Sequence, residues 1–150
     1  MITTSLAPPS MDSLPPASLA GKRILVIEDN AENMRLFRAI LKLEGIEILE
    51  ADRARQGIEI AQREQPDLIL MDIQMPEMDG LTATRLLKAD PKTCAIPIVA
   101  VTASVTEKAR AATLDAGCDA HVSKPIDIAA FVQQIEDVLH LNNKEPGQLR

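Results

Sequence analysis

The sequence predicts a doubly wound α/β fold, in which a five-stranded, mainly parallel sheet carries five helices on its two faces. Strand patterns and helix patterns alternate five times between about residues 22 and 141. Several strand patterns are continuous apolar runs, which suit strands that helices cover on both sides. The chain has 150 residues, which suits one domain with a hydrophobic core and is too short for an eight-unit barrel.

The five predicted strands differ in how apolar they are. The runs ILVI, LILM and IVAV suit the centre of the sheet, whereas the fifth pattern is the least hydrophobic and suits an edge. In chain order the strand patterns are RILVIE, IEILEA, DLILMD, IPIVAVTA and AHVS.

Each strand pattern is followed by a helix pattern with apolar residues at helical spacing. Asp79 and Gly80 start the third helix, a capping box of Ser104 and Glu107 starts the fourth, and Asp127 starts the fifth. The residues expected to face the core are Met34, Phe37, Ile40 and Leu41 in the first helix, Ala54, Ile58 and Ala61 in the second, and Ile128, Phe131, Val132, Ile135, Val138 and Leu139 in the fifth.

Reactive side chains stand at the ends of four of these strands. Glu28 and Asp29 follow the first strand, Asp72 the third, Thr102 the fourth and Lys124 the fifth. Doubly wound folds bind ligands beyond the carboxyl ends of their strands. In the flavodoxin-like strand order 2-1-3-4-5, which is adopted from known folds of this kind, the four ends are neighbours. Three carboxylates, one hydroxyl and one ammonium would then share one rim.

The charges on this rim indicate a divalent cation. Three carboxylates at such close range cannot all stay ionised without a counter-charge. Lys124 supplies one positive charge, and a cation with oxygen ligands supplies two. Mg²⁺ fits, because it accepts one or two carboxylates and keeps water ligands that a phosphate can replace. Such a rim is typical of phosphoryl-transfer sites, where positioning and charge neutralisation do most of the catalysis.

Composition excludes several other classes of function. A formal net charge of -6 and a pI near 4.9 disfavour binding to nucleic acid or to anionic membranes. The N-terminus lacks the pattern of a secretory signal, and no apolar run is long enough to span a membrane, so we expect a cytoplasmic protein. Cys94 and Cys118 stand apart from other metal-ligating residues, which favours two small buried residues over a disulfide or zinc site.

The ends of the chain read as flanking segments of one domain. We expect a flexible, Pro-rich arm over residues 1–21, the folded domain over 22–141 and a flexible tail over 142–150. The prolines of the arm are Pro8, Pro9, Pro15 and Pro16.

The motifs around the rim residues resemble the receiver domain of two-component response regulators. The segments VIEDNAENM, LILMDIQMPEMDG, VAVTA and SKP stand in the order of that family. Spacings of 43, 30 and 22 residues separate Asp29, Asp72, Thr102 and Lys124. The resemblance covers nearly all of residues 22–141. The EDN motif, and the lack of a further module after the fifth helix, resemble stand-alone receivers of the cell-cycle and phosphorelay type.

The resemblance implies a magnesium site and a phosphoacceptor. Asp72 would be the nucleophile that takes a phosphoryl group from a phosphohistidine and forms an aspartyl phosphate. Asp29 and Asp72 would bind Mg²⁺, or Mn²⁺ in its place, through their side chains. Gln74 would bind it through the backbone carbonyl, and Glu28 mainly through a metal-bound water.

The resemblance also implies which residues contact the phosphoryl group and which one moves in response. Lys124 would pair with phosphoryl oxygens, Thr102 would donate a hydrogen bond to one of them, and a cis bond before Pro125 would aim the lysine. His121 stands where receivers usually carry a Tyr or Phe that moves inward when the threonine hydroxyl is drawn to the phosphate. Two interpretations stay open for His121: a switch ring, or a half-exposed residue of an edge strand.

The leading functional hypothesis is a single-domain response regulator rather than an enzyme acting on other molecules. Its partners would be a sensor histidine kinase or a histidine phosphotransfer protein, followed by a downstream protein that binds the face made by the fourth helix, fifth strand and fifth helix. Output would be protein contact or onward phosphotransfer, and the chain would be a monomer or a weak homodimer.

Two alternatives belong to other functional classes. A pseudo-receiver would bind a partner without phosphorylation, although such proteins typically lose the acceptor aspartate, the acidic pair or the lysine, and all of these are present. A phosphatase would use Asp72 as its nucleophile. However, enzymes of the haloacid-dehalogenase type usually have a second aspartate two residues later, where this chain has Gln74.

Overall fold

A computed structural model describes residues 19–142, except Pro76, Ser104 and Val105. The segments 1–18 and 143–150, in which the sequence predicts most of the arm and the tail, lie outside the described residues. The elements in chain order are β1 (Arg23–Ile27), α1 (Ala31–Leu43), β2 (Glu47–Ala51), α2 (Ala54–Glu64), β3 (Leu68–Asp72), α3 (Gly80–Ala89), β4 (Ile98–Thr102), α4 (Glu107–Ala116), β5 (Ala120–Ser123) and α5 (Ile128–Asn142).

The five strands form one parallel sheet in the order β2-β1-β3-β4-β5, which confirms the predicted flavodoxin-like topology. Every residue of β3 and β4 is buried, because helices cover both faces of the centre of the sheet. β5 is an edge strand, as its low hydrophobicity predicts. The strands end at the same edge, so β3 delivers Asp72 to the middle of that edge.

Two hydrophobic clusters hold the helices against the two faces of the sheet. α1 and α5 cover one face, where the rings of Phe37 and Phe131 pack with centroids 5.5 Å apart. α2 and α3 cover the other face through small residues such as Ala61 and Ala83, with α4 packed beside α3. Each fully buried large side chain contributes about 1.5–3 kcal/mol relative to exposure. Within the described residues, no helix combines the length and apolar character needed to cross a membrane.

Helix periodicity correctly predicts most of the helix residues that face the core. The four residues predicted for α1 are all buried, and so are Phe131 and Ile135 of α5. The prediction is wrong for Ile128, whose side chain is 54% exposed. Ile128 is the first residue of α5, about one turn ahead of Phe131, where the core begins to cover the helix.

The predicted start of α4 is also wrong. The N-cap is Thr106, whose hydroxyl accepts a hydrogen bond from the N–H of Ala109 at 3.1 Å. Glu107 is therefore the first residue of the helix and cannot take the third-position role that a capping box requires. Ser104 lies outside the described residues.

Core packing begins before the domain boundary predicted at residue 22. Leu19 is 1% exposed and belongs to the core cluster under α1 and α5. The N–H of Gly21 donates to the carbonyl of Gly45 at 3.0 Å, which ties this entering segment to the turn after α1. Leu19 therefore contributes to the core from a position ahead of that boundary.

The start of α3 presses closely against the end of β3. Asp79 caps α3 by accepting from the N–H of Thr82 at 2.8 Å, and the N–H of Gly80 donates to the carbonyl of Ile73 at 2.9 Å. A methyl group on Gly80 would lie 2.5 Å from the carbonyl oxygen of Asp72 and 2.7 Å from the Cα atom of Ile73. This position therefore requires glycine for close approach of two backbones.

We expect Gly80→Ala to lower the free energy of unfolding by about 1–3 kcal/mol, because the backbone of β3 must move to admit the methyl group. Thr82→Ala, an exposed change in the same helical turn, is the matched control and should stay within about 0.5 kcal/mol of wild type. Urea unfolding measures both. Equal stabilities for the two variants would show that the approach is not tight.

Candidate phosphoryl-transfer and metal site

Three carboxylates converge at the carboxyl edge of the sheet. Glu28 and Asp29 follow β1, Asp72 is the last residue of β3, and one oxygen of each lies within 4.8 Å of the others. Glu28 and Asp72 are 2% and 3% exposed, whereas Asp29 is exposed. The cluster predicted from the strand ends is therefore present, and it opens to solvent on the side of Asp29.

Backbone hydrogen bonds fix the carboxylate of Glu28. Its own N–H donates to the carbonyl of Ala51 at 3.0 Å, and its Oε2 accepts from the N–H of Asn30 at 3.1 Å. Asn30 is in turn the N-cap of α1, where its Oδ1 accepts from the N–H of Asn33 at 2.9 Å. The start of α1 therefore orients one oxygen of Glu28 and leaves the other directed to the rim.

That second oxygen, Oε1 of Glu28, is buried and accepts no hydrogen bond within the described residues. The ammonium of Lys124 lies 3.7 Å from it, a distance that suits an ion pair and is too long for a hydrogen bond. A buried carboxylate oxygen without a hydrogen bond is unfavourable. A hard divalent cation with its water ligands would satisfy this oxygen, and the all-oxygen donor set is the kind that Mg²⁺ prefers.

Asp72 is fixed by the loop that follows it. Its Oδ1 accepts from the N–H of Gln74 at 3.1 Å and lies 3.7 Å from the Nζ atom of Lys124. The N–H of Ile73 donates to the carbonyl of Val101 at 3.0 Å, so the chain continues in the ladder with β4 before it turns. The carboxylate is therefore held in one place before any ligand arrives.

The environment of Asp72 opposes its ionisation. Burial, followed by the charge of Glu28, raises the pKa of Asp72 from 3.8 to about 7, although the N–H of Gln74 and the charge of Lys124 act in the opposite direction. A positive ion beside Asp72 would lower this pKa again, since an opposite charge favours the ionised form. Cation binding and ionisation of Asp72 are therefore coupled.

The last two strands bring Lys124 and Thr102 to the same edge. Thr102 ends β4, is 2% exposed and lies one position beyond Val101, the register partner of Asp72. The N–H of Lys124 donates to the carbonyl of Thr102 at 2.9 Å. The Lys124–Pro125 bond is cis, as predicted.

Comparison with known proteins agrees with this geometry. The family model of the response regulator receiver domain matches residues 24–136. The chain belongs to the response regulator receiver family. It is a signalling domain of two-component systems, and its sequence is 38% identical over 118 residues to the polar-differentiation response regulator DivK of Brucella anthropi. That match covers 79% of this chain and 96% of the relative.

Solved structures of receivers have the same fold. The receiver domain of the sensor histidine kinase PA1611 from Pseudomonas aeruginosa PAO1, which has a magnesium ion coordinated in its active-site cleft, is 31% identical. Its TM-score is 0.75, over 81% of this chain and 99% of that one. The chemotaxis protein CheY4 of Vibrio cholerae is 20% identical, with a TM-score of 0.74 over 80% of this chain and 98% of that one, and shows the fold alone.

The receiver site adjoins a cavity of about 380 Å³ between α1 and the end of β2. Arg38 and Glu50 form a two-point ion pair in its wall, with Nε–Oε2 and Nη2–Oε1 distances of 2.6 and 2.8 Å. The sequence does not indicate this pair, since its members stand on different elements. Asn30 is also not predicted from the sequence as the N-cap that orients Glu28, although an Asn directly before a helix pattern is a recognisable N-cap signal.

His121 lies apart from the acidic cluster along β5, in register with Ala100 of β4. The residue is partly exposed, which agrees with an edge strand, but its Nε2 atom is buried and makes no hydrogen bond within the described part of the chain. Its carbonyl accepts from the side-chain amide of Gln134 on α5 at 3.0 Å. The direction of the ring is the feature that no sequence pattern could indicate.

In the absence of metal ions, we expect Asp72→Asn to stabilise the receiver at neutral pH and not in acid. Because the folded-state pKa of Asp72, about 7, lies above its ordinary 3.8, the wild type loses stability as the pH rises from about 4 through 7. The uncharged amide of the variant avoids this loss. The difference in free energy of unfolding between Asp72→Asn and wild type should therefore grow over that pH range toward an upper limit of about 4 kcal/mol.

Urea unfolding in EDTA between pH 4 and 8 measures this difference. Asp115→Asn, an exposed change on α4, is the matched control. Its difference in free energy of unfolding from wild type should not increase with pH. If the difference in free energy of unfolding between wild type and Asp72→Asn stayed constant with pH, the assignment of a raised pKa to Asp72 would be contradicted.

Proposed function

We propose that this receiver takes a phosphoryl group on Asp72 from the phosphohistidine of a sensor histidine kinase or a histidine phosphotransfer protein. One observation carries the proposal. The carboxylate of Asp72 lies 3.7 Å from the ammonium of Lys124 and within 4.8 Å of oxygens of Glu28 and Asp29. A nucleophile, a cation for phosphoryl oxygens and a divalent-metal site thus meet at one point, as phosphoryl transfer requires.

Asp72 supplies the nucleophilic oxygen. One carboxylate oxygen forms a bond to phosphorus while the phosphorus–nitrogen bond of the phosphohistidine breaks, and the departing imidazole nitrogen takes up a proton. Lys124 pairs with an oxygen of the transferred group, and the hydroxyl of Thr102 donates a hydrogen bond to another. The product is an aspartyl phosphate on the end of a fully buried strand.

Mg²⁺ is the proposed metal, and Mn²⁺ could take its place. Asp29 and Asp72 would hold it through their side chains, Gln74 through its backbone carbonyl and Glu28 through a bound water. When bound, the ion neutralises charge on the phosphoryl oxygens. The buried, unpartnered Oε1 of Glu28 supports a cation at this place in the described structure.

Phosphorylation would signal through the face made by α4, β5 and α5. β5 lies at the open edge of the sheet, and the flanking helices expose Leu114 and Ile128 to 52% and 54%. These apolar side chains suit contact with a downstream protein that prefers the phosphorylated population. The chain would act as a cytoplasmic single-domain regulator, a monomer or weak homodimer, and would catalyse only its own phosphorylation and dephosphorylation.

Incubation with Mg²⁺ and acetyl phosphate, followed by intact mass measurement, tests the proposal. We expect a gain of one phosphoryl group that Asp72→Asn abolishes and Asp115→Asn retains. No gain under conditions that label a known receiver would favour an unphosphorylated binding module. Steady release of phosphate from unrelated phosphoesters would instead indicate a phosphatase.

Lys124→Gln should slow labelling by acetyl phosphate about tenfold or more, because a cation aimed at the transferred oxygens is lost. The affinity for Mg²⁺ should not fall, since this change removes a positive charge 3.7 Å from both Glu28 and Asp72. Lys108→Gln, an exposed change on α4, serves as the control. Unchanged labelling of Lys124→Gln, measured as mass gain against time, would remove the lysine from the proposed chemistry.

A further inference from the structure

We propose that His121 makes the switch of this receiver sensitive to pH, because the uncharged imidazole can occupy the inward position and the protonated one is driven out of it. Acid would then oppose the phosphorylated form through His121. The inference rests on the proposed phosphorylation of Asp72 and adds a regulatory input to the same site.

The position of His121 connects it to the site through one face of the sheet. β5 pairs in register with β4, with His121 opposite Ala100 and Ser123 opposite Thr102. Alternate residues of paired strands share a face, so the ring lies on the same face as Thr102, one strand away and two residues back. α4 packs against β5.

The inward direction of the ring follows from its buried nitrogen. Nε2 is inaccessible to solvent although the residue as a whole is partly exposed, and it makes no hydrogen bond within the described residues. In neutral imidazole this nitrogen can be an unprotonated acceptor. Protonation would place an N–H donor there without an acceptor, which is unfavourable for a buried group, whereas water satisfies it in an outward position.

Within the described residues, no charged group hydrogen-bonds to this nitrogen. The charged residues of α4 are exposed, and the α4 residues turned inward are small and uncharged. β4 contributes Ala100 and Thr102 on this face. The exposed charged residues are Glu107, Lys108, Arg110 and Asp115; the inward ones are Ala109, Ala112, Thr113 and Ala116.

The charged residues at the two ends of β5 are engaged elsewhere. At one end, the Oδ2 atom of Asp119 accepts from the N–H of Ile98 at 2.8 Å and from the Nζ atom of Lys88 at 3.3 Å. At the other end, Lys124 faces Glu28 and Asp72. α5 offers an uncharged amide, that of Gln134, to the His121 carbonyl. Among the residues that the structure describes, an imidazolium turned inward would therefore have no hydrogen-bond acceptor at the present position of Nε2.

The backbone of His121 is held by hydrogen bonds to its neighbours. The amide of Gln134 holds the carbonyl at 3.0 Å, and the ladder with β4 holds the strand. The available motion is therefore side-chain rotation. If phosphorylation draws the Thr102 hydroxyl toward Asp72, it favours the inward ring, and protonation favours the outward one. Coupling between the two events is reciprocal, so phosphorylation must also oppose protonation of His121.

NMR titration of the two histidines tests this coupling directly. The chain contains only His121 and His140, so their C2–H resonances can be followed from pH 5 to 8.5 and assigned with His140→Gln. Beryllofluoride with Mg²⁺ serves as the phosphoryl analogue, and its bound fluorine signal reports occupancy. We expect the His121 titration midpoint to move down by about half a pH unit on binding, with His140, which is exposed, unmoved.

An unmoved His121 midpoint with beryllofluoride bound would overturn this inference and leave the proposed phosphorylation intact. Absence of any bound signal would count against phosphorylation of Asp72, and the inference would fall with it.

His121→Phe provides a second measurement, since it keeps an inward ring and removes the proton. The loss of beryllofluoride affinity between pH 7.5 and 6 should be about twofold smaller in this variant than in wild type. The effect of Asp72 protonation is common to both proteins and cancels in the comparison. His140→Gln should behave as wild type, and equal losses in wild type and His121→Phe would contradict the inference.

Discussion

Two buried carboxylates share the carboxyl edge of the sheet with one lysine, and this imbalance of charge governs the chemistry of the site. Glu28 and Asp72 are nearly inaccessible to water, and Lys124 stands 3.7 Å from both without a hydrogen bond to either. The pKa of Asp72 rises to about 7 because burial and Glu28 together outweigh the lysine. The metal-free site is therefore short of positive charge, and a divalent cation is the ligand that corrects it.

Rigid elements of the fold surround this electrostatically unfavourable site and hold its residues in place. β3 is buried along its whole length, the N-cap of α1 orients Glu28 through Asn30, and the close approach at Gly80 holds α3 against the end of β3. Stability from the two hydrophobic clusters offsets the electrostatic cost at one edge of the sheet. A preorganised site of this kind needs little rearrangement when a phosphoryl group arrives.

Strand and helix periodicity predicts the sheet, the helices and the residues that meet at the rim, because buried strands and helix faces have strong patterns. Once the strand order is adopted from known folds, the positions of the strand ends in the chain place five side chains at one edge of the sheet. These are Glu28, Asp29, Asp72, Thr102 and Lys124. Local capping is less predictable: Thr106 rather than Ser104 starts α4, since several hydroxyl residues lie close together before the helix. The burial of one imidazole nitrogen and the Arg38–Glu50 ion pair depend on tertiary packing and have no sequence pattern.

Mg²⁺ binding should displace the proton that burial and Glu28 keep on Asp72. Calorimetry at pH 7 in buffers of different ionisation enthalpy gives the number of protons released per bound ion. Because the pKa of Asp72 is about 7, we expect binding to release about half a proton in the wild type and almost none in Asp72→Asn. Mg²⁺ binding to wild type without proton release would show that Asp72 is already ionised, and would contradict the shortage of positive charge at this site.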